Sequence, residues 1–257
     1  MADRKEKHTE IGGATADRIE VRGRDLVGEL VGKLGFTAAF LLQLLGKPPT
    51  TPQVAIVDAV MVAIMEHGLV PSAVAARLTL LGAPESFQGA VAAGLLGVGD
   101  RFAGTATRCG EVLDRIVEAA PQERSAVALE TVQSLRRERK PVPGFGHPTH
   151  RFGDPRVPRL VEIVRANGGL GQYIEALELL EGAVAQVLGK ALPTNVSAAI
   201  AVALREADVP TRAMRGIVLT ARCAGLAGHL LEELSEPSAN EMWQAAERAV
   251  PYRPPKR

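Results

Sequence analysis

Along almost the whole chain, apolar residues return every three to four positions with polar residues between them, the spacing of helices that bury one face. In "GQYIEALELLEGAVAQVLGK", Tyr173, Leu177, Leu180, Val184 and Val187 fall on one stripe, while Glu175 and Glu178 fall off it. Start and stop signals agree with the periodicity. "TTPQVAIVDAVMVAIMEHG" offers Thr51 as N-cap, Pro52 at the first helical position and Gly68 beyond the end, which predicts a helix over 52–67. The same reasoning predicts helices over 24–33, 36–45, 71–81, 84–97, 105–119, 121–139, 155–166, 171–189, 195–207, 211–234 and 238–249. Only "RIEVRG" (18–23) alternates like a strand, too little for a sheet that needs several partners. The expected fold class is all-α. No repeat or linker divides the chain, so 1–257 is read as a single module, with a smaller lobe expected at about 150–215.

Composition narrows the partners. With 257 residues, 46% hydrophobic, the chain can bury a sizeable core. Thirty basic against 29 acidic residues give a net charge of +1, which argues against nucleic acid as a partner. Cys109 and Cys223 lie far apart and without CxxC spacing, so neither a disulfide framework nor a zinc site is suggested. "MADRKEKHTE" is charged, and no run approaches the roughly 18 apolar residues of a membrane span. The expectation is a cytoplasmic protein with no membrane contact.

One stretch breaks the helical pattern. "PVPGFGHPTHRFGDPRV" (141–157) gathers prolines, glycines and two histidines in a single loop. Glycines bring backbone close to a ligand, prolines stiffen the turn, and His147 is then held as a donor or general acid/base. An ordinary interhelical connection with a surface histidine explains the same residues equally well. The HxxH spacing of His147 and His150 is not read as a metal site, because Pro148 breaks the helix that would align the pair and no further ligand is close in sequence.

The segment "PGFGHPTHRFGDPR" (143–156) resembles the "PGxGHxxxxxxDPR" loop of the citrate synthase superfamily. Residues 66–106, "EHGLVPSAVAARLTLLGAPESFQGAVAAGLLGVGDRFAGTA", are similar to the "DHG" and "GLLxxGDRFGG" region of its lyases, namely citryl-CoA lyase and the lyase part of ATP-citrate lyase. "LTARCAGLAGHLLEE" (219–233) is similar to the family's "R-x-x-G-xx-xH" helix. Phe102, in "RFAG", stands where the synthases carry a thioester-binding histidine, and this departure favours cleavage over condensation.

The resemblance implies a citrate synthase-like helical fold and a reaction on a CoA thioester, with no permanently bound cofactor and coenzyme A as part of the substrate. It assigns His147 to the substrate oxygen, Arg156 and Arg222 to its carboxylates, and His67 and Asp100 to the walls of the site. Guanidinium forks suit carboxylates because they bind bidentately and stay charged. Read without the resemblance, Arg156 could cap a helix end, Arg222 could snorkel from an apolar helix, and His67 could simply close one. Pro143, Gly144, Phe145, Gly146 and Lys190 are the implied coenzyme A contacts, with "RRERK" (136–140) as further cationic residues.

The family's third catalytic element is an aspartate in "NVD", whereas this chain reads "PTNVSAAIAVAL" with Ser197 at that place. A serine without a neighbouring base cannot replace a carboxylate as general base, a role typically worth about 100- to 10,000-fold in rate. Glu66 and Asp100 are the nearest substitutes by motif. Two readings therefore stand: a lyase acting on citryl-CoA or a related 3-hydroxyacyl-CoA, and a CoA-thioester binding or regulatory protein with weakened turnover; condensation in the synthase direction is a third. The chain has no P-loop, so a separate acyl-CoA synthetase or CoA-transferase would supply the thioester. A homo-oligomer built from a dimeric unit is expected.

Overall fold

The computed structural model describes residues 7–146 and 153–255. Eleven α-helices among them carry the fold. They are α1 (Phe36–Leu45), α2 (Thr51–Met65), α3 (Pro71–Gly82), α4 (Phe87–Ala103), α5 (Thr105–Glu118), α6 (Arg124–Arg137), α7 (Arg156–Ala166), α8 (Gln172–Leu188), α9 (Val196–Glu206), α10 (Met214–Ser235) and α11 (Ala239–Ala249). The all-α expectation holds. No helix among the described residues is long and apolar enough to cross a membrane.

The amino-terminal segment departs from the expectation. In place of a helix over 24–33, strands β1 (Gly12–Ala14), β2 (Ile19–Val21) and β3 (Arg24–Asp25) form a small antiparallel sheet, followed by one wide helical turn over Leu26–Leu30. Arg22 and Gly23, with φ of 51° and 72°, make the tight turn between β2 and β3. The Arg22 guanidinium ties this hairpin to the end of α1 through the Gln43 carbonyl, at 2.8 and 3.0 Å.

Helix ends follow local chemistry. α2 is capped by Thr50 rather than Thr51: the Thr50 hydroxyl accepts from the Gln53 amide at 3.3 Å, and Gln53 Oε1 accepts from the Thr50 amide at 2.9 Å. α2 stops at Met65, because Glu66 is already extended (φ −130°, ψ 147°). α4 runs six residues beyond its expected end at 97, with a sharp break at Gly99 (φ 55°, ψ −173°).

Two hydrophobic cores meet along α10. The larger surrounds α9, where Ala198 through Leu204 are at most 3% exposed, so this helix is apolar on all sides and sits among α2, α5, α7 and α8. The smaller joins α3, α4 and α10 through Ala76, Leu80, Ala90, Leu226 and Leu230. α10 gives Ile217 and Ala221 to the first core and Leu226 and Leu230 to the second. It crosses α2 so closely that a Cβ at Gly225 would lie 2.0 Å from the Met65 carbonyl oxygen.

Candidate active site

Between the two cores lies a cavity of about 480 Å³. Its walls come from the end of α2, the starts of α3, α5, α7 and α9, the last turns of α4, the middle of α10 and Gly146. Ile64, Val70, Val98, Ile200 and Val218 form the apolar part, and His67, Arg101, Arg156, Arg222, Asn195 and Ser197 the polar part. Among the described lining residues there is no Asp or Glu. The cavity is therefore cationic and partly dehydrated, suited to an anion carrying more than one carboxylate.

Each cation is placed by its own local structure. Arg156 starts α7, and its fork is held by Asp154, with Nε 2.9 Å from Oδ1 and Nη2 2.8 Å from Oδ2. Nη1 reaches the Ala63 carbonyl of α2 at 3.4 Å. Asp154 also caps α9 by accepting from the Val196 amide at 3.0 Å. Burial alone would push the Asp154 carboxyl up, but the Arg156 guanidinium and these amides outweigh it and hold it at about 2. This aspartate ties the starts of α7 and α9 to each other.

Arg222 projects from α10 into the cavity. Burial lowers its pKa, Glu66 acts the other way, and Arg156 adds to the lowering. No ion pair closes on Arg222 among the described residues, and arginine remains a cation at neutral pH regardless. Arg101, which sequence reasoning did not single out, joins the wall from the last turn of α4, beyond the Gly99 break. Its neighbour Asp100 also follows the break, and the Asp100 carboxylate faces Arg108 and Arg215 and is 63% exposed. The structure places Asp100 outside the cavity.

The glycine-proline loop is stitched to the segment that precedes α9. Asn195 N donates to the Gly144 carbonyl at 2.9 Å, Gly146 N donates to the Pro193 carbonyl at 2.8 Å, and Asn195 Nδ2 donates to the Gly146 carbonyl at 2.7 Å. Pro143 and Gly144 are buried. Gly144 (φ 87°) is demanded by packing, since a Cβ there would lie 2.9 Å from both Ala198 Cβ and Cys109 Sγ. The Gly146 amide is thus used internally rather than offered to a ligand. Asn195 also caps α9, accepting from the Ser197 amide at 2.9 Å, and this sets Ser197 at the cavity edge.

His147 lies outside the described residues, with the rest of 147–152. Phe102 belongs to the last turn of α4. Lys190 is exposed just after α8. Phe145 faces a separate depression of about 270 Å³, floored by Val142, Leu188 and Leu192 and rimmed by Arg136, Arg139 and Lys140. Glu66 stands behind the cavity wall: Oε1 accepts from the His67 amide at 2.7 Å and from the Gly68 amide, and Oε2 lies 2.9 Å from His229 Nε2. Burial pushes its carboxyl up, yet His229 and the two amides together bring it below the usual range. Both oxygens are engaged.

Comparison with known proteins places this architecture. The family model described as "Citrate synthase, C-terminal domain" matches residues 13–246. A solved structure of citryl-CoA lyase from Hydrogenobacter thermophilus superposes with a TM-score of 0.84 at 30% identity, covering 98% of this chain and 96% of that one. ATP citrate lyase from Methanosaeta concilii, solved with (3S)-citryl-CoA, gives a TM-score of 0.80 at 20% identity over all of this chain and 43% of its own, a likeness of fold alone. Citrate synthase from Synechocystis sp. (strain ATCC 27184 / PCC 6803 / Kazusa) is 27% identical over 208 residues, 79% of this chain. The chain spans about half the length of that curated relative, 51%. By the family match across most of its length and the helical frame around its cationic cavity, the chain belongs to the citrate synthase family.

Proposed function

We propose that the chain is a carbon-carbon lyase that cleaves citryl-CoA, or a related 3-hydroxyacyl-CoA, to acetyl-CoA and a 2-oxo acid such as oxaloacetate. The observation that carries this reading is the cavity in which Arg101, Arg156, Arg222 and His67 converge without a lining carboxylate among the described residues. The likeness to citryl-CoA lyase over nearly the full length of both chains supports cleavage as the direction.

In this reading the guanidinium groups hold the carboxylates of the acid portion, and His67 offers an imidazole on the α2 side. A base takes the proton of the substrate hydroxyl. The carbon-carbon bond then breaks, its electron pair passes to the thioester fragment as an enolate, and that carbon takes up a proton to become acetyl. His147, or a water it orients, is assigned as the base by resemblance. Glu66 is not the substitute acid, because both its oxygens are engaged, and Asp100 faces away. Ser197 therefore leaves the protonation of the enolate to water or to an imidazole. The depression beside Phe145 suits the nucleotide end of coenzyme A, with an apolar floor for the adenine and a basic rim for phosphates.

A second reading, a CoA-thioester binding protein with little turnover, is favoured by Ser197. Purified protein mixed with citryl-CoA, with oxaloacetate release followed by coupled NADH oxidation, separates the two. The lyase reading expects release at enzyme-like rates, about 1 per second or faster. Tight thioester binding without release would establish the second reading. The thioester would come from a separate acyl-CoA synthetase or CoA-transferase. A dimeric unit is proposed through the exposed leucines of α3, α4 and α10, among them Leu81, Leu96 and Leu231.

A further inference from the structure

Behind His67, a line of polar side chains runs from the cavity wall into the smaller core. Glu66 receives the His67 and Gly68 amides on one oxygen and faces His229 Nε2 at 2.9 Å with the other, in a contact bent away from the ring N–H direction. On the far side of the ring, Arg77 Nη2 lies 2.9 Å and Nε 3.3 Å from His229 Nδ1. Arg77, only 2% exposed, meets Glu232 and donates to Glu233 Oε2 at 2.8 Å and to Ser238 Oγ at 3.1 Å. Glu233 in turn accepts from the Ser238 and Ala239 amides at 2.8 Å each, at the start of α11.

The chemistry of the chain allows one polarity only. A guanidinium donates and never accepts, so His229 Nδ1 must be the acceptor. The ring proton then sits on Nε2, the nitrogen that lies 2.9 Å from Glu66 Oε2. The same face of α10 supplies the geometry: Arg222 enters the cavity, Gly225 lets the helix touch the end of α2, and His229 follows one turn later. The turn it supports passes through Gly68 at φ 70°, with Val70 N donating to the Gly68 carbonyl at 2.8 Å.

We infer that Glu66 and His229 are positioning residues, which hold the His67–Gly68 backbone so that His67 keeps its place in the cavity wall. The inference rests on the proposed function only in giving His67 a substrate to meet. Its test reads His67 directly, so it stands apart from lyase activity. Amide exchange of His67 and Gly68 is measured by NMR on the full chain, together with the His67 ring signals. Three variants are compared with wild type: Glu66→Gln, His229→Leu and His229→Gln.

In Glu66→Gln the amide must turn a donor either toward the Nε2 proton or toward the two backbone N–H groups. His229→Leu takes the ring contact from Glu66 Oε2 and the Nδ1 acceptor from Arg77, while their other partners stay in place. His229→Gln can preserve the polarity, with its oxygen accepting from Arg77 and its NH₂ donating to Glu66. We expect Glu66→Gln and His229→Leu to speed exchange of the two amides by about 10-fold or more and to shift the His67 ring signals, while His229→Gln stays within about 3-fold of wild type. Unchanged exchange in Glu66→Gln and His229→Leu overturns the inference, as does a His229→Gln variant that behaves like His229→Leu. Glu66 is 49% exposed, so Glu66→Gln keeps the test informative even if His229→Leu does not fold. Absence of lyase activity in wild type would remove the proposed reaction and leave the exchange result standing.

Discussion

At Arg156 and Arg222, two positive charges share one cavity and are managed differently. Arg156 is half neutralised by the bidentate Asp154, whereas among the described residues Arg222 has only the more distant Glu66 to offset it. Arg222 is therefore the stronger anchor for an incoming carboxylate. Arg222→Met should lower kcat/KM for the CoA thioester by about 100-fold, since a charge-assisted pair in a dehydrated site is worth about 3 kcal/mol; steady-state kinetics checks this. Asp154 gives a prediction in pH. Its folded pKa of about 2 lies below its unfolded value near about 3.9, so it contributes stability above pH ~4 that is lost as pH falls toward 2. The contribution is about 2 kcal/mol, and Asp154→Asn should flatten that part of the stability profile in urea melts at stepped pH. Arg156 and Arg222 were legible only through the family resemblance of the "DPR" loop and the α10 segment; alone, a helix cap and a snorkelling side chain account for them. The double duty of Asp154 was not legible, since nothing in local sequence says that residue 154 caps a helix that begins at 196. Ser197 was legible as a departure from the family pattern. Ser197→Asp should raise lyase turnover by about 10-fold or more if protonation of the enolate limits the rate; a fall in turnover would mean that the natural substrate needs the space or the neutrality of serine.

At the scale of elements, periodicity predicted most helices to within a few residues, because one buried face is a local property of each segment. The failures share a cause. β2 lies within "RIEVRG", the stretch that alternates like a strand, but β1 and β3, of three and two residues, are too short to show alternation, so the small sheet was missed and a helix expected in part of its place. The Gly99 break was missed because one glycine in a helical pattern does not announce whether the helix ends, bends or continues. It matters for the site, since the short turn beyond it carries Arg101, which lines the cavity, and Asp100, which faces Arg215 instead. Helix crossings were equally hidden. Gly225→Ala illustrates the balance: alanine gains about 1 kcal/mol in helix propensity, but a Cβ 2.0 Å from the Met65 carbonyl oxygen forces the two helices apart at a cost of about 3 kcal/mol. Net destabilisation by about 2 kcal/mol in urea unfolding is the expected outcome. Stabilisation would contradict the close crossing on which both Arg222 and His229 depend.

For the molecule as a whole, the cavity sits where two hydrophobic cores are joined by α10, so the site depends on contacts far apart in sequence. Arg77 and His229 are separated by 152 residues, and no periodicity or motif could have paired them. Leu96, 83% exposed on α4, and Leu231, 66% exposed on α10, belong to the helices of the smaller core. If they are covered by a second copy, Leu231→Glu should lower the mass measured by light scattering to that of one chain, 27.2 kDa, under conditions where wild type is twice that. The central claim is a lyase acting through a cationic pocket with serine at the usual carboxylate position. Its most direct test is the initial rate of oxaloacetate release from citryl-CoA by wild type and Arg222→Met, followed through NADH oxidation. Enzyme-like release by wild type with a loss of about 100-fold in the variant is the result we expect. Release at the uncatalysed rate by both proteins, with the thioester still bound, would contradict it.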